Sequence, residues 1–292
     1  MHFTGRTWRP PYEAQSVPLQ VTAGCTWRKC RFCGLYQNET FRMSPMEELE
    51  EDLAEIKAVQ PYARRVFLTG ANPFAMGFEQ LSLRAMTIRE HLIKCQTIAM
   101  FASIRDIKAK SVEELQRLRA MGINGLSIGT ESGDPQTLHL ARKGYTADDI
   151  FVQCQKLDKA GIEYYFIYMT GLAGRGNATR NARKSAALFS RLNPRFISVD
   201  SLVLFPGTEL YDMAGQGQFI PAGEKERLRE LQAFISQLQI RVHLFADSKS
   251  NFFPFTAYLP RDRERAVGEL QKVMDTVSEE EMAAYRAGLD SL

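Results

Sequence analysis

Six times in this chain a short run of β-branched and apolar residues is followed by a segment whose apolar positions recur at helical spacing, and this alternation constrains the fold more than any other feature. The runs are 17–21, 66–69, 97–103, 125–129, 164–169 and 196–205. After them come stripes such as Leu81, Ala85, Ile88, Leu92 and Cys95, or Ile150, Cys154 and Leu157. Strands that alternate with helices join by right-handed crossovers into a parallel sheet, and such a sheet needs helical cover. The chain therefore reads as α/β: a partial (β/α)6 TIM-type barrel with parallel strands and a C-terminal α/β extension. A full eight-fold barrel suits it less, because the pattern turns irregular after Thr208. The domain plan is an N-terminal extension at 1–16, the partial barrel at 17–210, and an extension at 211–292 that covers the barrel.

Punctuation supports these elements. Ser44-Pro45-Met46-Glu47 combines an N-cap, a first-turn proline and a capping-box glutamate, with Met46, Leu49, Leu53 and Ile56 following at helical spacing. Ser111 caps a helix with Glu114 at its third position, and Gly122 ends it. Thr146 opens the next, and Gly161 lies beyond its end. Farther on, Leu228, Leu231, Ile235 and Leu238 form one stripe, and a final helix starts near Asp262. Between them Phe252-Phe253-Pro254-Phe255 reads either as a cap over the barrel mouth or as core.

The formal net charge of +3 is too small to predict nucleic acid or a membrane surface. No stretch reaches the roughly 18 uncharged apolar residues a span needs, and the first residues carry no apolar signal segment, so the expected location is the cytoplasm. Five cysteines are an odd number for a disulfide framework, and three of them crowd into Cys25-Thr26-Trp27-Arg28-Lys29-Cys30-Arg31-Phe32-Cys33. That loop follows the first strand, at the carboxyl end where barrel sites are built. An iron-sulfur cube normally takes four cysteines, but Cys95 and Cys154 lie on helical stripes, so three ligands and one open iron are expected. Zinc with a histidine is the alternative. The histidines serve it poorly, since His2 is terminal, His91 and His139 lie in helix-like segments and His243 is remote.

Other strand ends carry their own motifs: Leu68-Thr69-Gly70-Ala71-Asn72-Pro73, Gly129-Thr130-Glu131-Ser132-Gly133, Thr170-Gly171-Leu172-Ala173-Gly174-Arg175-Gly176, and Leu204-Phe205-Pro206-Gly207. With the cysteine loop, they make the chain resemble the radical S-adenosylmethionine (radical SAM) superfamily, in its coproporphyrinogen-dehydrogenase and elongator-like branch, over about 17–210. Four residues separate Cys25 from Cys30 where three are commonest, and Ala71 stands where a second glycine is usual. The resemblance implies that Cys25, Cys30 and Cys33 hold a [4Fe-4S] cluster. It implies that Phe32 packs on adenine, that Gly70, Glu131, Ser103, Arg105 and Arg175 position S-adenosyl-L-methionine, and that Leu204 and Phe205 meet the adenine edge. Glu131 could instead be a solvated loop acid, and Arg175 a solvated loop cation.

The function this implies is reductive cleavage of S-adenosylmethionine to a 5′-deoxyadenosyl radical, which abstracts hydrogen from a substrate. The near-neutral charge favours a small-molecule substrate over a nucleic-acid base, and the chemistry calls for an electron donor such as flavodoxin or ferredoxin. Five cysteines leave too few for a second four-cysteine cluster. The rival is a non-catalytic iron-sulfur or zinc-binding redox or scaffold protein.

Overall fold

In a computed structural model of the protein, residues 1–5 and 7–289 are described. They fall into two compact units. One holds 1–28, 35–129 and 152–164; the other holds 29–34, 130–151 and everything from Tyr165 on.

The first unit is built on parallel strands. β1 (Val17–Gln20) pairs with β2 (Arg65–Thr69), β2 with β3 (Thr97–Ala102), and β3 with β4 (Ile123–Glu131), which runs on into the other unit. Registers such as Leu19↔Leu68 and Phe67↔Ala99 place Leu19, Leu68, Phe67 and Ala99 in the fully buried core. The helices α1 (Met46–Val59), α2 (Phe78–His91), α3 (Ile104–Lys108) and α4 (Val112–Ala120) fill the crossovers. α1 buries Leu49, Leu53 and Ile56, and α2 buries Leu81, Ala85 and Ile88, so the expected stripes face inward. Leu92 and Cys95 continue the buried side beyond α2. The capping box expected at Ser111 and Glu114 is present, with both hydrogen bonds formed.

The cap expected at Ser44 is not formed. Pro45 takes the N-cap position of α1, and no side chain caps the helix. Ser44 is held extended because its N–H donates to Val21 O and its carbonyl accepts from Arg84 Nη2 at 2.8 Å, beside a short antiparallel ribbon of Thr22–Ala23 and Arg42–Met43.

The second unit continues the pattern. β5 (Tyr164–Thr170) pairs in parallel with β6 (Phe196–Ser201), and β6 in parallel with β7 (Val242–Ala246). β8 (Phe255–Leu259) is antiparallel to β7. Around these strands lie α5 (Pro135–Leu140), α6 (Ala147–Ala160, whose second half belongs to the first unit), α7 (Ala178–Phe189), α8 (Glu209–Gly215), α9 (Glu224–Gln237), α10 (Arg263–Thr276) and α11 (Glu279–Ala287). Tyr168 stacks on Phe234 of α9 with centroids 4.2 Å apart, and Phe189 of α7 meets both edge-on. The α/β class, the βα repeats with parallel strands and the α/β continuation after them are as expected. The aromatic stretch at 252–255 packs locally: Phe252 meets Tyr285 at 5.5 Å and Phe253 stacks near Phe255 at 5.8 Å.

Candidate functional site

None of the five cysteines is in a disulfide; the three of the loop are of intermediate exposure, whereas Cys95 and Cys154 are buried. Burial raises the thiol pKa of Cys95 and Cys154, which keeps both inert as ligands. Soft, accessible thiols on an irregular loop are a donor set suited to iron-sulfur or zinc. Among the described residues, no three His, Cys, Asp or Glu side chains converge as a metal-binding group.

In the first unit the loop's opening residues are pinned from the end of β2. Asn72 Oδ1 accepts from Thr26 N at 3.3 Å, and its amide donates to Thr26 Oγ1 at 2.8 Å and to Asp106 Oδ2 at 3.0 Å. Asp106 also accepts from Ser103 N at 2.8 Å, completing the capping box of α3. Ser103 is therefore occupied as a cap, and Arg105 lies with its guanidinium carbon 4.0 Å from the centre of the Trp27 ring, a cation–π contact. Gly70 sits at φ +127°, and a Cβ there would lie 2.1 Å from Thr22 Oγ1 and 2.7 Å from Thr22 O. The Oγ1 atoms of Thr22 and Thr69 are buried without a hydrogen-bond partner among the described residues.

In the second unit Arg31 ties the other half of the loop down. Its N–H donates to Ala141 O at 3.1 Å, its carbonyl accepts from Leu210 N at 2.8 Å, and its Nε meets Glu209 Oε1 at 2.8 Å. Phe32 packs against a cluster of Ala141, Met169, Leu172, Leu202, Leu210 and Phe219, to which Leu204 also contributes. Glu131 ends β4 at φ +61°, a left-handed conformation that costs a non-glycine residue energy and that gathers at functional sites. It is 6 % exposed. One carboxylate oxygen accepts from Lys143 Nζ at 3.1 Å; the other is buried with no partner among the described residues. Arg175 is exposed, with its N–H on Ile220 O, so its side chain is not drawn into this cluster. Phe205 is half-buried, and its carbonyl accepts from Thr208.

Several contributors escaped the motif reading. Trp27, Asp106 and Lys143 were not singled out, although Ser103 and Asp106 stand at capping-box spacing. Asp200, near the end of β6, has its carboxyl pushed up to about 6 by burial. Glu230 of α9 is 1 % exposed and accepts from Tyr168 OH at 2.8 Å, Gly171 N at 2.8 Å and Asn181 Nδ2, fixing the glycine-rich turn after β5. Burial pushes its carboxyl up to about 7.

Residues 19–182, more than half of the 292-residue chain, match the model of the radical SAM superfamily. The chain belongs to the radical SAM superfamily. Among its relatives, the heme chaperone HemW of Bacillus subtilis is 26% identical over 206 residues, 68% of this radical SAM chain and 53% of the relative. The tRNA uridine(34) acetyltransferase of Methanocaldococcus infernus is 26% identical over 123 residues, 40% of this chain and 22% of the relative. The chain thus spans about half or less of the length of these curated relatives. In fold it is similar to coproporphyrinogen III oxidase (HemN) of Escherichia coli, described as a radical SAM enzyme, with a TM-score of 0.56 and 18% identity over 76% of this chain and 51% of that one. Radical SAM enzymes use a [4Fe-4S] cluster and S-adenosylmethionine. No helix among the described residues is long and apolar enough to cross a membrane.

Proposed function

We propose that this radical SAM chain reductively cleaves S-adenosylmethionine at a [4Fe-4S] cluster held by Cys25, Cys30 and Cys33 and thereby starts hydrogen abstraction from a small-molecule substrate. The observation that carries the reading is the set of three partly exposed thiols, none in a disulfide, in one nine-residue loop after β1. When bound, the cluster supplies the electron that breaks the sulfonium bond.

The chain's own part is to bind and orient. Asn72 holds Thr26, and Arg105 covers Trp27, so the loop beside Cys25 has a fixed path. The unpartnered oxygen of Glu131 offers an acceptor to a hydroxyl or ammonium of the cofactor, and Lys143 keeps that carboxylate oriented. Gly70 lets the end of β2 approach Thr22 more closely than any side chain would permit. Phe32, on its apolar cluster, presents a ring for adenine, with Leu204 close by. Ser103 acts through the cap of α3, which positions Arg105. The electron donor is an external reductant of the flavodoxin or ferredoxin kind.

The test is anaerobic reconstitution with iron and sulfide, then dithionite and S-adenosylmethionine, with 5′-deoxyadenosine read by mass spectrometry. The reading expects the product, and its loss in Cys30→Ala. A second reading, a non-catalytic iron-sulfur protein, takes its support from the heme chaperone relative. It prevails if a cluster forms and no 5′-deoxyadenosine follows.

A further inference from the structure

At the opposite end of the first unit's strands lies a cleft of about 630 Å³. Its floor is made where Arg64 leads into β2, Gln96 into β3 and Gly122 into β4, so it opens at the amino ends of strands whose carboxyl ends carry Gly70 and Ser103. Four cations line it: Arg64, Arg89, Lys94 and Arg119. Among the described residues none of them has a carboxylate partner. Arg64 donates to Gln96 Oε1 at 3.0 Å, Arg89 to Ala120 O at 3.3 Å and Arg119 to Gly161 O at 2.8 Å, which fixes each guanidinium while leaving its other N–H groups unused.

Four uncompensated cations around one concavity repel each other, and an anion of high charge relieves that repulsion. Guanidinium forks match phosphate oxygens in pairs. The rim is apolar: Tyr62 is 76 % and Ile93 is 77 % exposed. An exposed tyrosine ring beside phosphate-binding cations is the pairing by which proteins hold a nucleotide, the base stacking while the backbone is neutralised. The volume lies within the range of small-molecule sites, roughly 300–1,000 Å³. We propose that this cleft binds the phosphates of a nucleotide, free or within an RNA strand, with the base against Tyr62.

The inference is independent of the cysteine chemistry and is tested without it. Fluorescence anisotropy of the full chain with a labelled ten-nucleotide RNA, with ATP and inorganic pyrophosphate as competitors, reads the site directly. Arg89→Glu and Arg119→Glu alter exposed or half-exposed side chains and are checked for an unchanged melting profile. Each is expected to weaken RNA binding at least tenfold, and with about three phosphates held the wild-type log–log salt slope is about −2. Tyr62→Ala is expected to weaken RNA and ATP while leaving pyrophosphate unaffected. Competition by ATP assigns a free nucleotide; binding of RNA without such competition assigns a strand. Cys30→Ala is expected to bind as the wild type does, so failure of the catalytic reading leaves this result intact. The proposal is overturned if the charge reversals leave RNA, ATP and pyrophosphate binding unchanged, or if polyglutamate binds as tightly as RNA and Tyr62→Ala has no effect, which assigns the cleft to an acidic protein.

Discussion

Replacing Gly70 with alanine separates two costs that a glycine can hide. The comparison variant is Gly161→Ala, where φ is +70° and a Cβ would meet nothing within 4 Å. There the penalty is conformational alone, about 1–2 kcal/mol. At Gly70, φ is +127°, and the new Cβ would stand 2.1 Å from Thr22 Oγ1, 2.7 Å from Thr22 O and 3.2 Å from Thr22 C. Contact between such atoms is comfortable only near 3.5–4.0 Å, so the backbone at Thr22, just past β1, must move, adding about 1–3 kcal/mol of overpacking. Gly70→Ala is expected to lose roughly 2–5 kcal/mol in urea unfolding, against about 1–2 kcal/mol for Gly161→Ala. Iron retained after reconstitution should fall in Gly70→Ala alone, because Asn72, two residues on, is what pins Thr26 beside Cys25. Adding Thr22→Ala removes the hydroxyl clash and leaves the carbonyl one, so it restores stability in part. Equal losses in the two glycine variants, or full rescue by Thr22→Ala, would refute this account of the strand end.

Lys143→Met strands the buried Glu131 carboxylate and is expected to cost about 3–5 kcal/mol, with Lys143→Met/Glu131→Gln recovering a part, both read by thermal unfolding. Arg105→Ala removes the cation from Trp27, a loss of about 1 kcal/mol, and should shift Trp27 emission in a Trp8→Phe background; Arg105→Lys keeps some of it. Glu230 sets a pH dependence. Its folded carboxyl titrates at about 7, above the value of an unfolded glutamate, so the native chain holds a proton there that the unfolded chain has released. Its contribution to stability is therefore largest below about pH 4.5, declines as pH rises towards 7 and levels off above. Urea midpoints at pH 5, 6, 7 and 8 should lose that component in Glu230→Gln, and an unchanged slope would remove Glu230 as its source.

Local signals carried most of the fold. The six strands stand where alternation of strand and helix places them, and the stripe through Leu81, Ala85 and Ile88 is buried because 3.6-residue periodicity needs no knowledge of the rest of the chain. Ser111 and Glu114 cap their helix for the same reason. Ser44 carries an equally good local signal and fails, since Val21 and Arg84 claim its backbone from elsewhere in the chain. The cysteine loop was legible from spacing alone. Its supports were not: Asn72 meets Asp106 34 positions away and Arg31 meets Glu209 178 positions away, distances at which one sequence carries no pattern. Glu230 lies inside a helix whose leucine stripe drew the reading, and nothing in that stripe says that a neighbouring acid is buried under Tyr168.

The anchoring of Arg31 has a consequence for how the protein is made. Its backbone partners are Ala141 and Leu210, and its ionic partner Glu209 comes 178 positions later. At about 5–20 residues per second, a ribosome needs roughly 10–35 s between the two ends of that contact. Over that interval Cys30 and Cys33, on either side of Arg31, ride on a chain whose anchors arrive one by one, Ala141 first and Glu209 with Leu210 last. On the proposed reading, the second half of the cluster loop gains its full anchoring only after residue 210 has been made, however early the loop itself emerges.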